Sequence, residues 1–299
     1  MTEAPQGSAR PVGLPADWPH HAASRLVMSR PHRWHVQVMG EGPVLLMLHG
    51  AGGAGMSWRG LMPLLAGNYR LVVPDLPGQG YTRAGRSDRF GLDAMAEDLL
   101  ALCARLEAPP MAVIGHSAGG AIALRLAELA PLRAVVGVNA ALGVFGGLAG
   151  VMFPFLARTL HAAPFVPQLV AQATGTTARV AALLASTGSR VDGEGVELYR
   201  HLVARHAHVE GTLAMMAQWR LEGLLARLEG ISVPTLLVTG AGDRTVEPEV
   251  SSRAAARMPQ GATVSLPGLG HLAQEEDAGA VAAAVLPFLA DRVGKEGAG

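Results

Sequence analysis

The sequence predicts an α/β protein: a mostly parallel eight-stranded sheet flanked by helices, with a helical cap inserted after the sixth strand. Three observations predict it. Short apolar runs alternate with helical periodicity, as in a parallel sheet built from crossover units. Two alternating segments around Pro31 read as an antiparallel hairpin at the sheet edge. Roughly ninety residues of apolar helical pattern, broken by Pro and Gly, separate two of the runs and form the insertion. At 299 residues, 49% hydrophobic and 16% charged, the chain has apolar surface for one large core and an apolar pocket besides. Its 24 basic and 24 acidic side chains cancel. That balance gives no basic excess to bind phosphate backbones, so nucleic acid is excluded as a partner.

In chain order, residues 1–20 are rich in Pro, Gly and Ala and lack the apolar stretch of a secretory signal. They read as a flexible segment of a cytoplasmic protein. Arg25 to Met28 and Trp34 to Val38 form the edge hairpin; Val44 to Leu48, Leu71 to Val73, Met111 to Ile114, Ala134 to Val138, Thr235 to Val238 and Thr263 to Leu266 form the remaining strands. Leu92, Met95, Leu99, Leu102, Cys103 and Leu106 recur at helical spacing and bury one face against the sheet. Cys103 is the only cysteine, so one chain can build neither a disulfide nor a thiolate metal site, and its place in that stripe makes it a core residue. The core is expected over 21–139 and 233–292, the cap over 140–232 and a flexible tail over 293–299. No residue from Ala134 to Ala157 is charged, a length that could cross a bilayer. Its first five residues are already a strand, and Pro154 with glycines 137, 143, 146, 147 and 150 argues for a buried cap or pocket wall, with membrane contact at most peripheral.

The chemistry is carried by loops at the carboxyl ends of strands, where open α/β sheets place their ligands. Gly115-His116-Ser117-Ala118-Gly119 fits G-x-S-x-G, a short pattern that gains weight from the strand before it and the helix after it. Small residues on both sides allow the strained turn that projects the serine hydroxyl. His49-Gly50-Ala51-Gly52-Gly53 follows another strand and can bring backbone N–H groups to developing negative charge. Ala51 and Ala118 are the expected donors. A phosphate loop is excluded by the missing lysine and hydroxyl. Asp243 follows the Thr235 to Val238 strand and His271 the Thr263 to Leu266 strand, giving the chain order serine, aspartate, histidine. Ser117 is therefore the expected nucleophile, His271 the base and Asp243 its orienting carboxylate.

Other residues have plainer readings. His116 supports the turn beside Ser117, and Asp75 fixes a turn after its strand. His201, His206 and His208 do not share one helical face, which favours a cap helix over a metal site. The expected substrate pocket comprises His49, Gly50, His116, Phe145, Met152, Phe153, Met216 and Trp219. No signature calls for NAD, flavin or a metal, so no cofactor is expected.

With those residues in place, the chain from about residue 25 to 292 resembles the α/β-hydrolase superfamily. More narrowly, it resembles the hydrolases of bacteriochlorophyll biosynthesis clusters described as magnesium-chelatase accessory proteins. The segments that carry this are Trp34-His-Val-Gln, Ser57-Trp-Arg-Gly-Leu-Met-Pro-Leu-Leu, Val138-Asn-Ala-Ala-Leu, Ser186-Thr-Gly-Ser-Arg, His208-Val-Glu-Gly-Thr-Leu-Ala-Met-Met-Ala-Gln-Trp and Leu266-Pro-Gly-Leu-Gly-His-Leu-Ala-Gln-Glu-Glu. Gln79 departs from the superfamily, where histidine often stands. The resemblance implies a serine ester hydrolase acting on a small molecule, a magnesium porphyrin or chlorophyllide, with magnesium chelatase as a partner. A lid rich in Phe145, Met152, Phe153 and Phe155 suits a flat apolar pigment. The resemblance leaves open a pigment-carrying role without catalysis, and a small ester, lactone or peracid as substrate.

Overall fold

A computed structural model describes residues 13–143 and 176–294. The chain enters through β1 (Ser24–Ser29) and β2 (His32–Met39), followed by β3 (Val44–Leu48), α1 (Met62–Leu65), β4 (Arg70–Pro74) and α2 (Leu92–Arg105). Then come β5 (Ala112–His116), α3 (Ala118–Leu129) and β6 (Ala134–Val138). Beyond β6 the described helices are α4 (Thr177–Ser186), α5 (Gly193–Val203), α6 (His206–Gln218) and α7 (Glu222–Ala226). The core resumes with β7 (Thr235–Gly240), α8 (Pro248–Ala255), β8 (Gly261–Leu266), α9 (Ala273–Glu276) and α10 (Ala278–Val293).

The eight strands form one sheet in the order β1-β2-β4-β3-β5-β6-β7-β8. β1 and β2 pair antiparallel, β2 meets β4 antiparallel, and every later pairing is parallel. The expected fold class is therefore the observed one.

Alternation along the central strands splits the core into two layers. Leu45, Met47, Ile114, Val136 and Val238 face α10, through Val281, Val285 and Leu289. Leu46, Leu48, Val113, Val135 and Leu237 face α2 and α3, through Met95, Leu99, Ile122 and Leu126. Each such large apolar side chain contributes roughly 1.5–3 kcal/mol on burial. Cys103 lies in the second layer, and burial pushes its thiol up to about 12.

Two boundaries differ from expectation. Leu14 and Trp18 fall in the segment expected to be flexible, yet both are buried. Trp18 meets the Tyr81 ring edge-on at 5.2 Å, and both residues join an apolar cluster with Met56, Val180 and Leu202. An indole of that size is worth ordering several residues to bury. Val293, expected to begin the tail, is the last buried residue of α10. Among the described residues no helix is long and apolar enough to cross a membrane.

Candidate active site

Ser117 stands between the last residue of β5 and the first of α3, with φ 51° and ψ −117°. Only a tightly packed turn holds a residue with a Cβ in that region. The flanking glycines explain the turn: a Cβ on Gly115 would overlap the Gly119 carbonyl, and one on Gly119 would overlap the Leu48 carbonyl. The Ser117 backbone is tied in place, its N–H donating to Val138 O at 3.0 Å and its carbonyl accepting from Gly120 and Ala141. Its hydroxyl caps no helix group. The N–H of Ala118 opens α3, where helix geometry supplies no intrahelical partner.

Asp243 follows β7 and His271 follows β8. His271 Nδ1 donates to Asp243 Oδ2 at 2.7 Å, and both side chains are nearly inaccessible. The other carboxylate oxygen accepts the N–H groups of Thr245 and Val246 at 2.7 and 2.9 Å. With its Nδ1 proton committed to the carboxylate, the imidazole keeps a lone pair on Nε2. Ser117 and His271 line the same cavity, without a direct hydrogen bond between their side chains in this structure. Catalytic hydrogen bonds are often long before substrate binds.

Side chains from three separate parts of the chain hold the His271 segment. His116 Nε2–H and Asn139 Nδ2–H each donate to the His271 carbonyl at 2.8 Å. Burial and the neighbouring His271 hold the His116 imidazole well below its ordinary value, so it stays neutral and donates as expected of a supporting residue. Asn139, directly after β6, also donates to Gly270 O at 2.9 Å and accepts the Gly240 N–H at 2.8 Å. Ser189, in the cap segment that carried the narrower resemblance, accepts the Leu272 N–H at 2.8 Å. Sequence reasoning assigned neither Asn139 nor Ser189 a role, although a polar residue directly after a buried parallel strand was a usable signal.

The glycine-rich loop passes beside Ser117. A Cβ on Gly50 would lie 2.9 Å from the Ser117 Cβ, so only glycine lets the loop come this close. His49 corrects the expected pocket: its ring is fully buried and does not line the cavity. Nδ1 donates to Gly50 O at 2.7 Å and Nε2 accepts the Leu76 N–H at 2.8 Å, while burial lowers its pKa and keeps it neutral. The ring thus braces the loop from behind.

A cavity of 1410 Å³ lies over Ser117, lined by Gly50, Ala51, His116, Ala118, Met216 and Trp219 among others. Helices α4 to α6 supply much of its apolar wall, including Val180, Leu184 and Met215. Phe145, Met152, Phe153 and Phe155 lie outside the described residues. His201, His206 and His208 are pulled apart: His201 bonds the Tyr81 hydroxyl, His206 faces Glu210, and His208 is buried against Gly52 and Gly80.

This strand-end arrangement is that of an α/β hydrolase, and the chain belongs to the α/β-hydrolase fold family, whose model matches residues 43–278. Within that family it is 46% identical to the magnesium-chelatase 30 kDa subunit of Rhodobacter capsulatus, over 93% of this chain and 99% of that protein. An esterase from Thermogutta terrifontis, solved with malate bound, superposes with a TM-score of 0.72 at 24% identity, over 90% of this chain and 98% of its own. Epoxide hydrolase CorEH gives 0.75 at 18% identity, over 90% and 98%. At these identities the two structures share the fold.

Proposed function

We propose that the protein is a serine ester hydrolase whose substrate is an ester of a tetrapyrrole. The observation that carries the chemistry is the 2.7 Å His271–Asp243 pair, whose imidazole lines one cavity with a serine held at positive φ. In this reading His271 Nε2 takes the Ser117 proton as Oγ attacks the ester carbonyl. The tetrahedral oxyanion receives the N–H groups of Ala51 and Ala118, each worth about 3 kcal/mol in such sites. His271 returns the proton to the leaving alcohol, and water then releases the acid from Ser117 by the same route. Asp243 holds the tautomer throughout and stabilises the imidazolium.

The substrate class rests on two supports. The cavity is far larger than a short ester needs and its wall is mainly apolar, which suits a flat pigment. The relative from Rhodobacter capsulatus is named as a subunit of magnesium chelatase. That name also favours a second reading, in which the protein holds a magnesium porphyrin beside the chelatase without cleaving it.

The test combines a fluorophosphonate probe with a magnesium porphyrin methyl ester. Labelling at Ser117, ester cleavage by the native protein, and porphyrin binding without cleavage by Ser117→Ala are expected. A native protein that binds the porphyrin yet neither labels nor cleaves establishes the carrier reading instead. Cleavage of short aryl esters with no spectral shift on adding the porphyrin would overturn the tetrapyrrole assignment and leave a small-ester hydrolase.

A further inference from the structure

Gly52 is the residue after Ala51, and side chains from two other elements hold both of its backbone polar groups. Its N–H donates to Gln79 Oε1 at 2.8 Å, and its carbonyl accepts from His208 Nε2 at 3.2 Å. Gln79 belongs to the turn beyond β4, whereas His208 lies in the first turn of α6, inside the insertion. The same two side chains also join those elements to each other. Gln79 Nε2 donates to Met215 Sδ at 3.2 Å, two turns along α6 from His208, and His208 Nδ1 accepts the Gly80 N–H at 3.0 Å. Between these contacts Gly211 of α6 lies directly on Gly78, so close that a Cβ on Gly211 would overlap the Gly78 carbonyl. The helix can sit this near only because both residues are glycine.

Peptide planarity turns these contacts into a statement about Ala51. The plane before Ala51 carries its N–H and the Gly50 carbonyl, and that carbonyl is fixed by the Gly53 N–H at 3.1 Å and by His49. The plane after Ala51 carries the Gly52 N–H, which Gln79 fixes. Ala51 is therefore suspended between two anchored planes, one anchored by the core and the other by a side chain braced on α6. The His208 carbonyl contact anchors the next plane along, where Gly52 takes φ 79°. Burial takes His208 down to about 4, so at neutral pH it offers the one acceptor and one donor that Gly80 and Gly52 require.

We propose that Gln79 and His208 are positioning residues for the Ala51 N–H, and that they make alignment of this oxyanion donor depend on the seating of helix α6. The inference rests on the reading of Ser117 as nucleophile and Ala51 as donor. Seen this way, the insertion covers the substrate and also completes the charge-stabilising loop.

The experiment uses the full chain with p-nitrophenyl butyrate as substrate and phenylboronic acid as a tetrahedral analogue. Gln79→Met keeps the length and apolar contact of the side chain but removes the acceptor; His208→Phe keeps a ring but removes the donor. Each should lower kcat by about tenfold or more while KM stays within about twofold, because misaligning a donor harms only the charged state. Boronate affinity should fall in parallel with kcat. The double variant should lose little more than the worse single one, since the two side chains hold the N–H and the carbonyl of the same residue, Gly52. Unchanged kcat, or losses shared between kcat and KM with boronate affinity intact, would overturn the positioning role while native turnover leaves the hydrolase reading standing. If His208→Phe does not fold, Gln79→Met alone decides. A native protein that neither turns over the ester nor labels at Ser117 removes the hydrolase reading and this inference together.

Discussion

A single residue shows where this chain holds its backbone away from relaxed geometry. Ser117 holds φ 51°, and its hydroxyl makes no cap hydrogen bond to the helix that would compensate. A residue with a Cβ in such a region costs of order 1–3 kcal/mol, which glycine does not incur. Ser117→Gly should therefore unfold about 1 kcal/mol harder than Ser117→Ala in urea titrations, although both remove the proposed nucleophile. Equal midpoints would show that the turn is relaxed and that its geometry has another cause. His49 teaches the complementary lesson at this scale. Sequence position put it beside Ser117, but a histidine on a buried loop satisfies two backbone groups before it can face a cavity.

At the scale of elements, the site is a set of strand ends stapled to one another. Asn139 after β6 reaches the β7 end through the Gly240 N–H and the β8 loop through the Gly270 and His271 carbonyls. Its own φ is 45°, which Asn tolerates better than most residues. Asn139→Gly keeps that backbone and deletes all three hydrogen bonds. Leaving buried groups unpaired should cost about 2–3 kcal/mol of unfolding free energy and lower turnover, as read by urea titration and aryl-ester kinetics. A variant with native stability would show that the loops hold their places without the staple. Strands, their order of use and the Ser117, Asp243 and His271 loops were all legible, because period-two burial and chain order are local or nearly local signals. Asn139, Ser189, Gln79 and His208 were not legible as site residues. Each reaches a partner between 83 and 156 residues away in the chain, and no spacing rule spans such distances.

For the whole molecule, the insertion and the core share buried polar contacts as well as apolar ones. Tyr199 of α5 donates to Glu275 of α9 at 2.7 Å, and Arg59 bridges Glu275 and Asp192. Burial pushes Glu275 up to about 7 against the pull of both partners. His32, His49, His116 and His201 are held below their ordinary value, and His208 is taken down to about 4, chiefly by desolvation in each case. A histidine lowered on folding binds its proton more readily in the unfolded chain, so stability present above about pH 6.5 is lost as pH falls toward 4. Glu275 acts in the opposite sense between its ordinary 4.5 and about 7, but it is one group against five. Thermal midpoints should therefore drop between pH 7 and pH 4.5, and more steeply in Glu275→Gln. A flat profile for the native chain would contradict the burial of these imidazoles.

The insertion leaves the core from β6 and returns at β7, its hydrogen-bonded neighbour. Rewriting the excursion between them disturbs no strand register, so descendants of one ancestor can diverge in what they admit while inheriting the same cutting edge. The contacts from His208 and Ser189 set the terms of that freedom: a transplanted lid must bring its own braces, or the edge it covers will be dull.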